Sequence, residues 1–213
     1  MRILYGSQNF GYDTPYSDKD YMEIVFPTIE DIARGRTPNR ETKQLDGSIV
    51  KVKDIRLLPK MLLKGNFNDL QILYSKEYED CKGLEWFIEN RERIVRYSPS
   101  QLVWTNAGYI KQCIKYGTYH LGKLVGKDYA RAICFVHLIE RALTTDKLVF
   151  CDESLRDVRN NTHRYNDTYI EDKLIELEKI ASIMIETDIT LEQEMYNEIQ
   201  RLITERLKHD IRV

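Results

Sequence analysis

The segment Tyr5 to Tyr21, YGSQNFGYDTPYSDKDY, holds the residues best suited to chemistry. A strand-like run, Met1 to Tyr5, leads into Gly6-Ser7; after a spacer of ten residues, Asp18-Lys19-Asp20 opens a second strand-like run that ends at Phe26-Pro27. Residues two apart in an extended chain point to the same face, so the carboxylates of Asp18 and Asp20 are expected to converge on one side of a sheet. Two hard, anionic oxygen ligands suit Mg²⁺, with Mn²⁺ as an alternative, because Mg²⁺ commonly takes one or two carboxylates plus phosphate oxygens and waters. Gly6 lets the backbone approach a triphosphate without a side chain in the way, and Ser7 can open a short helix whose free N–H groups donate to phosphate oxygens. Plainer explanations compete. With 34 acidic residues, an acid-x-acid triplet arises by chance about five times in such a chain, and Gly-Ser is an ordinary turn after a strand. The weight lies in the conjunction of strand, Gly-Ser, spacer, acid pair and strand, followed by a third candidate acid at the end of the next strand.

That third acid is Asp54. The run Ser48 to Lys53, SIVKVK, alternates like a half-exposed strand. If it pairs antiparallel with residues 20 to 26, its end lies beside the start of the other strand and brings Asp54 to Asp18 and Asp20. The competing role for Asp54 is N-cap of the helix expected from there toward Lys64. Asp46 is the fallback, at the opposite end of the strand. Lys127 and Arg131, one helical turn apart, share a face and could cross a cleft to neutralise a triphosphate; a solvated basic turn or a salt bridge to Asp128 is the bland alternative. Arg34, Arg36, Arg40 and Lys43 lie in an expected loop that could touch a nucleic acid, although such loops are more often only solvated.

The elements that must position these groups fall into two regions. Residues 1–82 mix strands and short helices, whereas residues 83–213 read almost entirely as helix. Ser98-Pro99 and the pairs Thr168/Glu171 and Thr190/Gln193 carry helix-start signals. Residues 129 to 143 are apolar on nearly all sides and belong at the centre of a bundle, while Leu174, Leu177, Ala181 and Met184 form a one-sided stripe. Pro59 is expected to disturb the helix after Asp54.

Composition excludes several classes. Of 213 residues, 42% are hydrophobic and 31% charged, with 32 basic against 34 acidic side chains, which rules out a disordered tail or a supercharged nucleic-acid coat. A formal charge of -2 gives no broad affinity for phosphate backbones, so any nucleic-acid contact must come from local patches. No stretch approaches a membrane span, and the opening residues do not form a secretory signal, which points to the cytoplasm. Cys81, Cys113, Cys134 and Cys151 are too widely spaced for a zinc site or a disulfide framework and are expected to be reduced packing residues.

Gly6-Ser7, spacer, Asp18-x-Asp20 resembles the nucleotidyltransferase motif of the DNA polymerase beta superfamily. More narrowly, YGSQNFGYDTPYSDKDY, then DIRLLPKMLLKGNFNDLQILYS, then KDYARAICFVHLIERALTTDKLVF resemble, in order, three blocks of predicted nucleotidyltransferases associated with bacterial RNA-repair operons and found also in phages. The resemblance implies an α+β protein with a minimal nucleotidyltransferase sheet followed by an all-α helical-bundle domain. It also implies transfer of a nucleoside monophosphate from a nucleoside triphosphate to a hydroxyl acceptor, with release of pyrophosphate. Its association with RNA repair suggests an RNA end as acceptor, with a protein hydroxyl or a small molecule as alternatives. Two departures stand out: Gln8 where that family usually has Arg, and Gln71 where it usually has Glu. They are the sequence support for a competing class, a non-catalytic nucleotide-binding or sensor protein. The separations Arg131 to His137 and Arg156 to His163 match those of helical ribonuclease domains, but about one such match is expected by chance, and His137 lies in the most apolar helix.

Overall fold

The computed structural model describes residues 1–120, 123–145, 147–151, 154–160, 167–184 and 187–212. The protein is α+β. Its first region runs β1 (Arg2–Tyr5), α1 (Ser7–Phe10), β2 (Asp20–Val25), α2 (Ile29–Ala33), β3 (Asn39–Lys43), β4 (Ile49–Asp54), α3 (Leu58–Leu63), α4 (Phe67–Leu70) and β5 (Tyr78–Glu79). The five strands form one mixed sheet in the order β3-β4-β2-β1-β5. Then follow α5 (Glu85–Glu89), α6 (Arg91–Val95), α7 (Pro99–Tyr116), the small ribbon β6 (Tyr119–His120) and β7 (Lys123–Leu124), α8 (Gly126–Thr144), α9 (Ser154–Asn160), α10 (Asp167–Ile183) and α11 (Ile189–Arg212).

The alternation in β2 turns Met22 and Ile24 inward, and Ile3 of β1 packs beside them in the core. Tyr21 and Glu23 face the other way, level with Val50 and Val52 of β4. Strands β2 and β4 run parallel, Tyr21 opposite Val50 and Val25 opposite Asp54, which corrects the antiparallel pairing expected from sequence. The reason lies in the connection: the chain leaves β2 through α2, enters β3 at the sheet edge, and reverses at Gln44–Ser48 into β4. Because β3 and β4 form the antiparallel hairpin, β4 returns in the direction of β2, as a crossover connection demands. The reversal needs Gly47, at φ 92°, whose N–H reaches the Gln44 carbonyl at 3.1 Å. Asn39–Lys43, expected to be loop, is thus an edge strand with every residue exposed.

The segment after Asp54 is also different in detail. A 3-10 turn over Ile55–Leu57 comes first, and α3 then begins with Pro59 in its opening turn, where the missing N–H costs nothing. In the helical region α7 packs along α8, and α9 and α10 pack on α8. Ala130, Ile133, Phe135, Val136 and Ile139 are buried, in keeping with the apolar 129–143 segment, as are Leu174, Leu177 and Ala181 of the α10 stripe. The start of α11 is capped by Asp188, whose Oδ1 accepts from the Leu191 amide at 2.9 Å, two residues earlier than the Thr190 cap expected from sequence. The two regions share one core. Phe10 of α1 lies 5.5 Å from Phe135 of α8 and 5.8 Å from Phe150, ring centre to ring centre, and the buried cluster is continuous from Ile3 to Leu202. All four cysteines are free thiols, two of them buried. Among the described residues, no helix is long and apolar enough to cross a membrane.

Candidate active site

Gly6 ends β1 at φ 81°, ψ −150°, a conformation open in practice only to glycine. Its N–H donates to Gln71 Oε1 at 2.9 Å. Gln71 is fully buried, and its Nε2 donates to the Asn68 carbonyl at 2.9 Å, while Asn9 Nδ2 reaches the Gln71 carbonyl at 3.3 Å. Both ends of the neutral amide are therefore used. A carboxylate at position 71 could accept from Gly6 but would have nothing to donate to Asn68, which accounts for Gln at this buried position. Gln8, the other departure, ties down the loop ahead of the acid pair, its Nε2 donating to the Ser17 carbonyl at 3.1 Å.

Asp20 is paired with Tyr5 across β1 and β2. Its Oδ1 accepts from the Ile49 amide at 2.9 Å, and its Oδ2 stands 3.0 Å from where a Cβ on Gly6 would be. The glycine is thus required by the carboxylate as well as by the turn. Ser7 is buried at the start of α1, where the Asn9 and Phe10 amides bond to the Gly6 carbonyl and those of Ser7 and Gln8 have no acceptor within the helix.

Asp18 is exposed, and its carboxylate lies against the β3–β4 reversal, 3.3 Å from where a Cβ on Gly47 would stand. It sits at the rim of an open groove of about 830 Å³ on the outer face of the sheet, lined also by Arg2, Tyr21, Glu23, Arg40 and Asp46. The two aspartates are therefore held by two different glycine turns, and the convergence expected from sequence is not found: Asp18 precedes β2 and lines the Tyr21–Glu23 face, whereas Asp20, the first residue of β2, is in phase with Met22. Asp46, the fallback acid, accepts from the Ser48 amide and hydroxyl at 3.0 and 2.6 Å, and those bonds hold its pKa below the usual carboxylate value.

Asp54 is not beside them. Parallel pairing sets it opposite Val25, at the far end of β2 from Asp20. It is fully buried, its Oδ1 accepts from the Arg56 amide at 2.8 Å, and its two oxygens hold the Arg56 guanidinium at 2.9 and 2.7 Å. Asp54 is a cap and an ion-pair partner at the other end of β2, not the third metal ligand expected from sequence. Among the described residues, no three metal-ligating side chains cluster.

The helical region faces the Gly6–Asp20 segment with cations. Lys127 is exposed as a residue, yet its pKa is lowered, first by partial desolvation and then by the charges of Arg131 and Arg159, with Asp20 and Asp128 acting in the opposite sense. Its ammonium is therefore within electrostatic reach of Asp20. Arg131 packs among Tyr12, Tyr109 and Cys113, with Asp128 at 3.6 Å; burial works against its charge, but the two phenols outweigh it and the net shift is upward. Burial in turn pushes the Tyr12 hydroxyl above its ordinary value. Arg156 of α9 grips Asp13 through contacts of 3.1 to 3.3 Å, and Arg159 donates to the Tyr12 carbonyl at 2.9 Å and to Ser17 Oγ at 3.4 Å. The loop that leads to Asp18 is thus strapped by α9 from some 140 residues away in the chain. His137 is half-buried in α8, and His163 lies outside the described residues.

Sequence reasoning missed Arg159 and Asp69. Arg156 and Arg159 are three apart on a helix and so share a face, a signal that was available. Asp69, in the first turn of α4, has no such signature. It is half-buried, close to Tyr5, and desolvation raises its pKa against the lowering influence of Lys53, Lys64 and Lys51. Compared with known proteins, the chain matches no family model, no curated protein and no solved structure.

Proposed function

We propose that the protein is a nucleotidyltransferase acting at the Gly6 turn and the Asp20 carboxylate, with the start of α8 contributing Lys127. The observation that carries this reading is the Gly6 backbone set directly against the Asp20 carboxylate, with Lys127 within electrostatic reach on the helical side. A nucleoside triphosphate would lie along Gly6 and Ser7, where the absent Cβ and the open amides of α1 permit close approach by phosphate oxygens.

The donor set fits Mg²⁺. Asp20 Oδ2 is not the oxygen occupied by the Ile49 amide, so one anionic ligand remains available beside the phosphates and water that this ion prefers. Asp20 would hold the ion, which when bound would supply positive charge to the phosphates and lower the pKa of the attacking hydroxyl. The chain's own residues do the rest. Ile49 fixes the Asp20 carboxylate, Gln71 holds the Gly6 turn open, and Lys127 and Arg131 offset charge that grows on pyrophosphate as it departs. The acceptor supplies a hydroxyl, with an RNA end favoured over a protein or a small molecule by the resemblance to the RNA-repair-associated family.

Incubation with Mg²⁺, each labelled triphosphate in turn and a pool of RNAs tests this. Label transfer and pyrophosphate release, both abolished by Asp20→Asn, are expected. Triphosphate binding without transfer to RNA, protein or small molecule would assign the pocket to a sensor instead.

A further inference from the structure

A second cavity, of about 220 Å³, opens on the Asp20 face of the sheet, lined by Tyr5, Met22, Lys51, Lys53 and Asp69 with the edge strand β3 beside them. It neighbours the proposed transfer site, because Tyr5 is the cross-strand partner of Asp20 and Met22 that of Lys51. Its size suits a single sugar-phosphate rather than the larger ligands that fill ordinary binding clefts.

The charges are arranged for a phosphate ester. Lys51 and Lys53 occupy alternate positions of β4 and so project to this one face. Lys51 lies 4.9 Å from the centre of the Tyr5 ring and 3.5 Å from Glu41. Lys53 has a neutral side chain, Asn39 Oδ1 at 2.6 Å, as its hydrogen-bond partner, and among the described residues no acid pairs with it. The Asp69 carboxylate accepts no hydrogen bond and forms no ion pair among the described residues although the residue is half-buried, and such a carboxylate calls for a donor.

We propose that the cavity seats the acceptor, a sugar hydroxyl with a phosphate beside it, Lys51 and Lys53 holding the phosphate and Asp69 accepting the hydrogen bond of a sugar hydroxyl. This inference rests on the nucleotidyl-transfer reading of the Asp20 site. In the reaction the acceptor oxygen forms a bond to the α-phosphorus, and the bond from that phosphorus to the bridging oxygen breaks. Its electron pair leaves with pyrophosphate, and the hydroxyl proton is released to water.

Binding measured without triphosphate or metal tests the seat separately from the chemistry. The probes are a nucleoside 5′-monophosphate and a short single-stranded oligoribonucleotide with a free 3′ hydroxyl. Lys51→Ala and Lys53→Ala should each weaken binding about tenfold, Lys53→Arg should restore most of it, and Asp20→Asn should leave it intact, with melting temperatures confirming the fold of each variant. Tighter binding of the oligonucleotide identifies a strand end as the source of the group, and equal binding a free nucleotide. Affinities for both probes that do not respond to either lysine overturn the proposal. Transfer to an acceptor whose KM ignores both lysines does the same while leaving nucleotidyl transfer standing. Lysine-dependent binding with no transfer by the wild-type chain instead overturns the transfer reading and keeps the cavity as a phosphate-ester site.

Discussion

Gly6→Ala concentrates the reasoning about the site into one atom. At φ 81° and ψ −150° the backbone lies in a region essentially reserved for glycine, and holding a residue with a Cβ there costs about 1–3 kcal/mol. The added methyl would also stand 3.0 Å from Asp20 Oδ2, closer than carbon and oxygen normally approach. Asp20 can yield only by loosening its bond to the Ile49 amide, 2.9 Å on the other oxygen, or the Gly6 turn must pull away from Gln71. Taking about 2 kcal/mol as the cost, and about 2–4 °C per kcal/mol for a chain of this size, the melting temperature should fall by about 4–8 °C. Triphosphate affinity should fall as well, because the methyl fills the space the phosphates would use. Differential scanning calorimetry and a nucleotide titration on the same preparation measure both. A variant that melts within a degree of the wild type would refute the backbone argument, and one that is destabilised but binds triphosphate normally would refute the placement of the phosphates.

Other expectations follow from single contacts. Asp54→Ala should destabilise by about 3 kcal/mol, the low end for a broken buried ion pair because Arg56 is partly exposed, and should leave Mg²⁺ affinity unchanged, as judged by denaturant unfolding and metal titration. Lys127→Ala should weaken triphosphate binding and slow turnover without lowering stability. Arg159→Ala removes a charge that depresses the Lys127 pKa, so the alkaline loss of nucleotide binding should move to higher pH, a shift that a merely solvated Lys127 would not show. The Asp69 carboxyl is raised in the folded protein, so its contribution favours folding below the unfolded carboxylate pKa and is lost as pH rises through the folded value. Asp69→Asn should therefore raise the melting temperature at neutral pH and have little effect in acid, and an equal effect at both pH values would refute the burial argument.

Local chemistry was legible in the sequence where neighbours along the chain decide it. Gly6 between a strand and Ser7, the period-2 alternation of β2 and β4, the apolar 129–143 segment and the α10 stripe all express preferences of the backbone or of a buried face, and these need no knowledge of distant partners. The same local logic offered Asp54 two roles, cap or metal ligand, and could not choose, because the choice depends on strand direction. That direction was settled by β3, a charged, fully exposed strand with no apolar face to announce it, whose hairpin with β4 turns β4 parallel to β2 and carries Asp54 away from Asp20. Only the folded chain shows why position 71 is an amide, since the Gly6 N–H and the Asn68 carbonyl meet there from segments 65 and 3 residues away. The strap of Arg156 and Arg159 on the loop before Asp18, and the gathering of Lys51, Lys53 and Asp69 around Tyr5, are likewise tertiary events. Coulomb attraction and desolvation act through space, and a pattern in one dimension carries no measure of that distance.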